Sequence, residues 1–452
     1  MAAVALAGAG LMACGKSPEQ ELREIFASQS SGVIRLPSGV IELSSPLTLI
    51  RGSTDLEIRG NGTRLRAAGN FQGKALLLIE SVKNITLREF IVDGNRAALG
   101  KPSEMAPPEN AFRVWYNNNG VVADQVDGLE IARVEFTEVA HFPVIVSRSS
   151  KIRIHDVTVT KSGSKNAKGR NNGSGGILIE EGSRDFDVRN TSFRDIWGNG
   201  LWTHSLLTSP RLENGVFQNN RFETIGRDAL QVGHAQGVRV EGNTGIEIGF
   251  PPDIVDVEGG GVPVAIDTAG DVANTIYIRN RFSEINGKCI DLDGFHDGTV
   301  AENSCFNVQK ASDYPHGHFG IVMNNSNPAA HSNNIEIKAN SIDGAKFGGL
   351  FVMGRGNRIL NNHFANLNLA RCNENSAEFG CIYKTDEPEM LQSGIYLGKG
   401  VARLEETTGN VIRGNDISGH QMAARCIVTG PGVSRGANTI ESNRCSTTNV
   451  LR

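Results

Sequence analysis

The chain has 452 residues, enough for two or three ordinary domains or for one repeat array. Its 53 glycines, 6 % aromatic content and recurring Asn-Gly, Gly-Asn and Asn-Asn pairs signal many tight turns rather than long helices, which favours the array. A formal net charge of −4 with 21 % charged residues leaves no basic footprint, so nucleic acid is excluded as an expected partner.

The first fourteen residues, MAAVALAGAGLMAC, are small and apolar, end in Leu11-Met12-Ala13-Cys14, and give way to the polar GKSPEQE. They resemble the end of a bacterial lipoprotein signal peptide in which Cys14 is the lipidated residue, although the Lys or Arg of the usual n-region is missing. The resemblance implies an exported protein, periplasmic or at the bacterial cell surface, that touches the membrane only through its anchor. No other apolar run is long enough to span a bilayer.

From Pro18 to Arg66 the chain starts with a short helix whose apolar residues Leu22, Ile25 and Phe26 share one face. Strands separated by Pro-Ser-Gly and Gly-Asn-Gly turns follow. Beyond them the chain repeats itself: VRNTSFRDIWGNGLWTHS from Val188, FQNNRFETIGRDALQVGH from Phe217, YIRNRFSEINGKCIDLDG from Tyr277 and IKANSIDGAKFGGLFVMG from Ile337. Each copy reads as a short alternating strand, an Asn, an apolar residue two places on, a Gly-rich bend and a second short strand. Such periods mean a solenoid, and the absence of an amphipathic helix pattern excludes helical solenoids and leucine-rich horseshoes. The Asn at a fixed place predicts an inward amide ladder, each side chain bonding the next coil.

This pattern resembles the right-handed parallel β-helices of the pectate-lyase-like superfamily, in which a helix covers the open end of the first coil. The resemblance implies an all-β fold, a single-stranded right-handed parallel β-helix of about ten to twelve coils with an N-terminal capping helix. Residues 1–17 are then the signal and anchor segment and 18–452 the β-helix domain, expected to be a monomer. Apart from Cys14, six cysteines fall into sequence-near pairs, Cys289 with Cys305, Cys372 with Cys381 and Cys426 with Cys445. An even count at such spacings suits disulfides in an oxidising compartment.

Aligning the coils on the small residue that opens the second strand stacks GILIEEG, GLWTHS, ALQVGH, AIDTAG, CIDLDG, GIVMNN, GLFVMG and GIYLGK. Alternation then sends two columns outward. One runs Leu178, Trp202, Gln231, Asp267, Asp291, Val322, Phe351, Tyr396, and the other Glu180, His204, Gly233, Ala269, Asp293, Asn324, Met353, Gly398. Neighbouring coils lie about 4.8 Å apart, so Asp267 and Asp291 become direct neighbours, with Asp293 roughly 8 Å away on the diagonal. Two such carboxylates do not both ionise freely, and one pKa is expected to rise.

Trp202 offers a flat surface of the kind sugars stack on. His204, Gln231 and Asn324 supply hydrogen-bonding groups, Asn199, Arg227, Asp228 and Lys288 lie in the preceding bends, and His296 extends the groove. Insertions at Ala97–Asn119, Lys161–Gly175, Gly245–Gly261, Gln309–His318 and Leu369–Gln392 recur before the anchored strand, as walls of a binding face do.

Three functions follow for such a groove, each with a polysaccharide or oligosaccharide as partner. Glycoside hydrolysis needs a protonated carboxyl and a second carboxylate, which Asp228, Asp267, Asp291 and Asp293 supply without a metal or other cofactor. GNGLWTH followed by GRDALQVG is similar to the polygalacturonase-type pattern, in which only Asp228 matches an acidic position, while Asn199 and Arg227 stand where that family has carboxylates. A polysaccharide lyase instead takes Lys288 or Arg227 as base and Ca²⁺ on Asp267, Asp291 and Asp293. The third function is non-catalytic carbohydrate binding or adhesion. Hydrolysis is favoured, because four aspartates gather at the groove and only one lysine does.

Overall fold

The computed structural model describes residues 16–257, 261–372, 374, 381, 387, 389–400 and 403–448. The signal segment and Cys14 lie outside the described residues. The capping helix spans Pro18–Ser28, and its first turn is closed by a reciprocal pair: Gln20 N donates to Ser17 Oγ at 3.2 Å and Ser17 N donates to Gln20 Oε1 at 3.0 Å. Leu22 and Phe26 are buried on its inner face and Ile25 is partly so, which covers the first coil as the spacing predicts.

Behind the helix the chain winds as a right-handed parallel β-helix with three strands per coil. One coil illustrates the rest: Ser150–His155 forms the first face, Thr158–Thr160 the second and Ile177–Glu180 the third. Pairing is parallel from coil to coil, as between Ser150–His155 and Arg184–Arg189 or Ile177–Glu180 and Leu201–His204. The second face is a sheet of 14 strands, more than the ten to twelve coils expected. The difference comes from second-face strands of only three residues, such as Ile91–Asp93, which are too short to show a period. The first and third faces join in one network because Leu230–Glu241 runs unbroken from the third to the first.

The bend between the first and second faces carries the predicted amide ladder. It runs through Asn220, Asn243, Asn280, Asn303, Asn340, Asn362, Asn415 and Asn443. Each backbone N–H donates to Oδ1 of the next at 2.9–3.1 Å, and each side-chain amide donates to the same oxygen at 2.8–3.0 Å. The residue before each rung takes a left-handed conformation, with φ of 55° at Asn219, 57° at Arg279 and 53° at Ala339. That single kink turns the chain through the corner and aims the following amide inward.

Inside, stacks of like residues fill the coil. Phe193 and Phe222 lie face to face at 4.9 Å, and Gly245 occupies the next rung because a Cβ there would come within 2.6 Å of Phe282. Cys289–Cys305, Cys372–Cys381 and Cys426–Cys445 are bonded, with Cα separations of 6.0, 5.3 and 5.7 Å. Among the described residues no helix is long and apolar enough to cross a membrane.

Asn303 sits at the middle of the ladder, where it accepts from Asn280 and donates to Asn340 and to the Tyr277 carbonyl. Replacing it with Ala leaves buried groups of two coils unmatched. Asn303→Ala is expected to cost about 1–3 kcal/mol, read as a lower midpoint in chemical denaturation.

Candidate active site

The third face carries the two outward columns in the register read from the repeat. Leu178 pairs with Trp202, Trp202 with Gln231, and Gln231 with Asp267. Further on, Asp291 pairs with Val322, Val322 with Phe351 and Phe351 with Tyr396. Pairing of Val264 with Lys288 and Ile266 with Ile290 sets Asp267 beside Asp291. All five predicted insertions enter at the corner before this face.

Three carboxylates meet here. Asp228, in the bend before Leu230, is 2 % exposed; its Oδ1 accepts from Val264 N at 2.9 Å and its Oδ2 lies 3.5 Å from Arg227 Nε. Burial pushes its carboxyl up to about 6 against the pull of Arg227. Asp267 is the most open of the three, and its carboxyl is raised well above the ordinary range, first by burial and then by the charges of Asp228 and Asp291. Asp291 takes Lys288 on Oδ2, while its Oδ1 is buried with no hydrogen-bond partner.

An amide relay holds the carboxylates in place. Asn199 Oδ1 accepts from Asp228 N at 3.2 Å, Asn199 Nδ2 donates to Gln231 Oε1 at 2.9 Å, and Gln231 Nε2 donates to Asp267 Oδ2 at 2.8 Å. Asn199, Arg227, Asp228, Gln231, Asp267, Lys288 and Asp291 thus form one constellation, as the stacked columns predict. Asp293 is adjacent but occupied, since both of its oxygens hold Ser326, through the backbone N–H and Oγ at 2.6 Å each. Asn324 pairs with Asp293, and its Oδ1 is buried without a partner.

Two expected site residues need correction. Trp202 points outward but is 3 % exposed, so it is not an open sugar platform. The insertion between Ala97 and Asn119 lies over it as a strap: Phe112 packs edge-on against Trp202 at 5.1 Å and stacks on His204 at 4.6 Å. Phe112 and Trp202, with Tyr116, Phe142, Ile145 and Leu178, form a second, smaller apolar core outside the coil. The aromatic run FRVWY inside the insertion is the signal in the sequence for this cover. His296 lies past the next corner, held by Asp271 at 2.9 Å and Asp297 at 2.7 Å, away from the carboxylate cluster.

The strap is anchored by Glu180, which is fully buried and accepts from Phe112 N at 2.8 Å and Arg113 N at 3.1 Å. Burial raises its carboxyl to about 7. Among the described residues Glu180, Glu181 and His204 form a group whose ligand atoms lie within 4.8 Å of one another, the arrangement able to hold a metal ion. Both carboxylates already serve backbone N–H donors, Glu180 those of the strap and Glu181 that of Leu206.

The five insertions form one wall of the groove, and the structure has a second. Opposite the insertions, residues 205–211 and 325–335 bulge from the far edge of the same face. These loops carry no repeat signature, and only their length between strands announces them.

A family model described as "Right handed beta helix region" matches residues 109–264. No curated protein matches the chain. Solved structures with the same fold include PfbA, a surface adhesin of Streptococcus pneumoniae, 14 % identical, covering 77 % of this chain and 86 % of its own with a TM-score of 0.57. The N-terminal fragment of bacteriophage phi29 gene product 12 is 12 % identical over 93 % of this chain and 70 % of its own, with a TM-score of 0.58. The catalytic domain of a GH87 α-1,3-glucanase in complex with tetrasaccharides is 12 % identical over 91 % and 71 %, with a TM-score of 0.53. The likeness is one of fold, and it extends across right-handed β-helices rather than singling out the pectate-lyase-like branch.

Because burial raises Asp228 and Asp267, the folded chain holds protons that the unfolded chain has released. Stability contributed by these groups is therefore present at about pH 4 and lost as pH rises through the folded value of about 6 for Asp228. Asp267→Asn keeps an oxygen to accept from Gln231 and removes the burial cost. It is expected to raise the thermal midpoint at pH 8 and to leave it nearly unchanged at pH 4, as followed by scanning calorimetry.

Proposed function

We propose that the protein is an exported enzyme that hydrolyses a polysaccharide in the groove of the third face. One observation carries this reading: Asp267, partly open and inclined to keep its proton, stands one rung from Asp291, whose Oδ1 has no partner. Asp267 donates its proton to the glycosidic oxygen as the bond to the leaving sugar breaks. Asp291, one rung away, takes the proton of the attacking water once substrate occupies the groove. Asp228 lies behind them, and burial first, then the charges of Asp228 and Asp291, keep the proton on Asp267 in the free enzyme.

Charge balance supports this assignment. Three carboxylates that share one proton carry two negative charges, which Arg227 and Lys288 match. The cluster can then stay buried without an uncompensated charge.

Support for a sugar as substrate comes from the open, polar face and from the tetrasaccharides held by the glucanase of the same fold. The elimination reading is disfavoured by Lys288, whose Nζ is engaged with Asp291 and would have to leave that contact to act as base. Three disulfides among the described residues favour an oxidising compartment, and with the lipidation pattern at Cys14 they support export to the cell surface.

A panel of polysaccharides assayed for both reducing ends and the ultraviolet absorbance of unsaturated ends tests the reading. New reducing ends without absorbance are expected, with kcat reduced about 10²–10⁴-fold in Asp267→Asn and in Asp291→Asn. The rate should fall at high pH, where Asp267, held well above the ordinary carboxylate range by burial and by the charges of Asp228 and Asp291, gives up its proton. Unsaturated ends that appear only with Ca²⁺ would establish the lyase instead, and binding without product the adhesin.

A further inference from the structure

The second outward column changes character beside the carboxylates. It reads Glu180, His204, Gly233, Ala269, Asp293, Asn324, so two small residues on paired strands are flanked by larger ones. Their missing side chains form the floor of a depression of about 500 Å³, rimmed by His204 and by Pro108 and Glu109 of the strap. That volume lies in the range of roughly 300–1,000 Å³ typical of small-ligand sites. Gln231 lines the depression and also donates to Asp267, so the pocket lies next to the carboxylates and is joined to them through that side chain. His234, 9 % exposed, lines it too, and the Nδ1 atoms of His204 and His234 are both buried without a partner.

The outward face is closed on either side of this stretch. Toward the N-terminus Leu178 and Trp202 lie under the strap, which Glu180 fastens through two backbone N–H groups. Toward the C-terminus Phe351 and Tyr396 are stacked at 5.9 Å and only 3 % and 1 % exposed. Between these covers lie the four rungs from Gln231 to Val322, about 14 Å along the axis at the usual rung spacing, of which Asp267 and Val322 are partly exposed while Gln231 and Asp291 are 7 % exposed. A sugar chain lying along the coils across Asp291 and Asp267 therefore meets the strap two rungs later, at Trp202, with the pocket as the space left for its end.

We propose, resting on the hydrolase reading above, that this pocket receives the terminal residue of a polysaccharide and that the enzyme cleaves from chain ends, releasing a short product. His204, His234 and Gln231 face the hydroxyls of that residue, and Gly233 and Ala269 leave room for its ring.

The test uses whichever polysaccharide of the panel the intact chain cleaves, followed by viscosity and by product size from the first minutes. Short sugars of one size are expected while viscosity stays nearly constant. Ala269→Leu, which fills the floor from an outward position, is expected to lower kcat/KM on that polymer at least tenfold with an unchanged circular dichroism spectrum and melting midpoint. An early ladder of internal fragments with a fall in viscosity, or full activity of Ala269→Leu, would overturn the end-directed reading while leaving hydrolysis intact. Failure to cleave any polysaccharide would overturn the hydrolase reading itself and this inference with it.

Discussion

The rest of this molecule depends on the asparagine ladder at the corner between the first and second faces. Each rung spends its side-chain oxygen on both the backbone N–H and the side-chain amide of the preceding rung, so coils can stack in only one register at that corner. A slip of one residue would expose the aliphatic stacks and bury the outward columns. Register fixed at this corner is carried around the coil by short strands, and it decides that Gln231, Asp267 and Asp291 stand side by side on the third face. The chemistry of the groove is thus specified by hydrogen bonds on a different face of the coil.

Placing three carboxylates in contact is costly, and the surrounding structure shows how the cost is contained. Desolvation and mutual repulsion both favour a retained proton, while Arg227 and Lys288 favour ionisation. Amides do the remaining work: Asn199 and Gln231 are neutral, so they fix the carboxylates in position without adding charge. Lysines at those positions would neutralise the cluster and remove the proton that an acid catalyst needs. Such a poise is what the proposed reaction needs, and it is not what a folding device needs, since well-packed apolar residues in place of buried charges are often neutral or stabilising.

How much of this the sequence discloses follows from what is periodic. The capping helix, the ladder, the disulfide pairs and the outward columns all repeat or alternate, and the register of Gln231, Asp267 and Asp291 is legible from the stacked strands. Trp202 shows the limit. Its column does point outward, but alternation describes only the coil, and the strap that buries Trp202 comes from an insertion some ninety residues earlier whose docking depends on Glu180. His296 shows a second limit, because Gly294, with φ of 73°, turns the chain just before it and ends the strand pattern that placed it in the groove. The pocket floor was present in the columns as Gly233 and Ala269. It gains meaning only once the strap supplies a rim.

The insertions do more than bound the groove; they create the dielectric setting in which the carboxylates act. On a bare coil Asp228 would sit in an exposed bend. Here the loop carrying Asn171 donates from its backbone to Ile254 O at 2.7 Å and from its side chain to Gly226 O at 2.8 Å, while Asn166 Nδ2 donates to Asp256 at 2.7 Å. Two insertions from coils far apart in sequence are thus stitched together over the bend that holds Arg227 and Asp228. Water is displaced from one side of the cluster, and its proton affinity rises by burial rather than by any feature of the repeat. The coil supplies position and the loops supply desolvation, so the same β-helix can carry an inert stripe of aspartates or a reactive one according to what its corners insert.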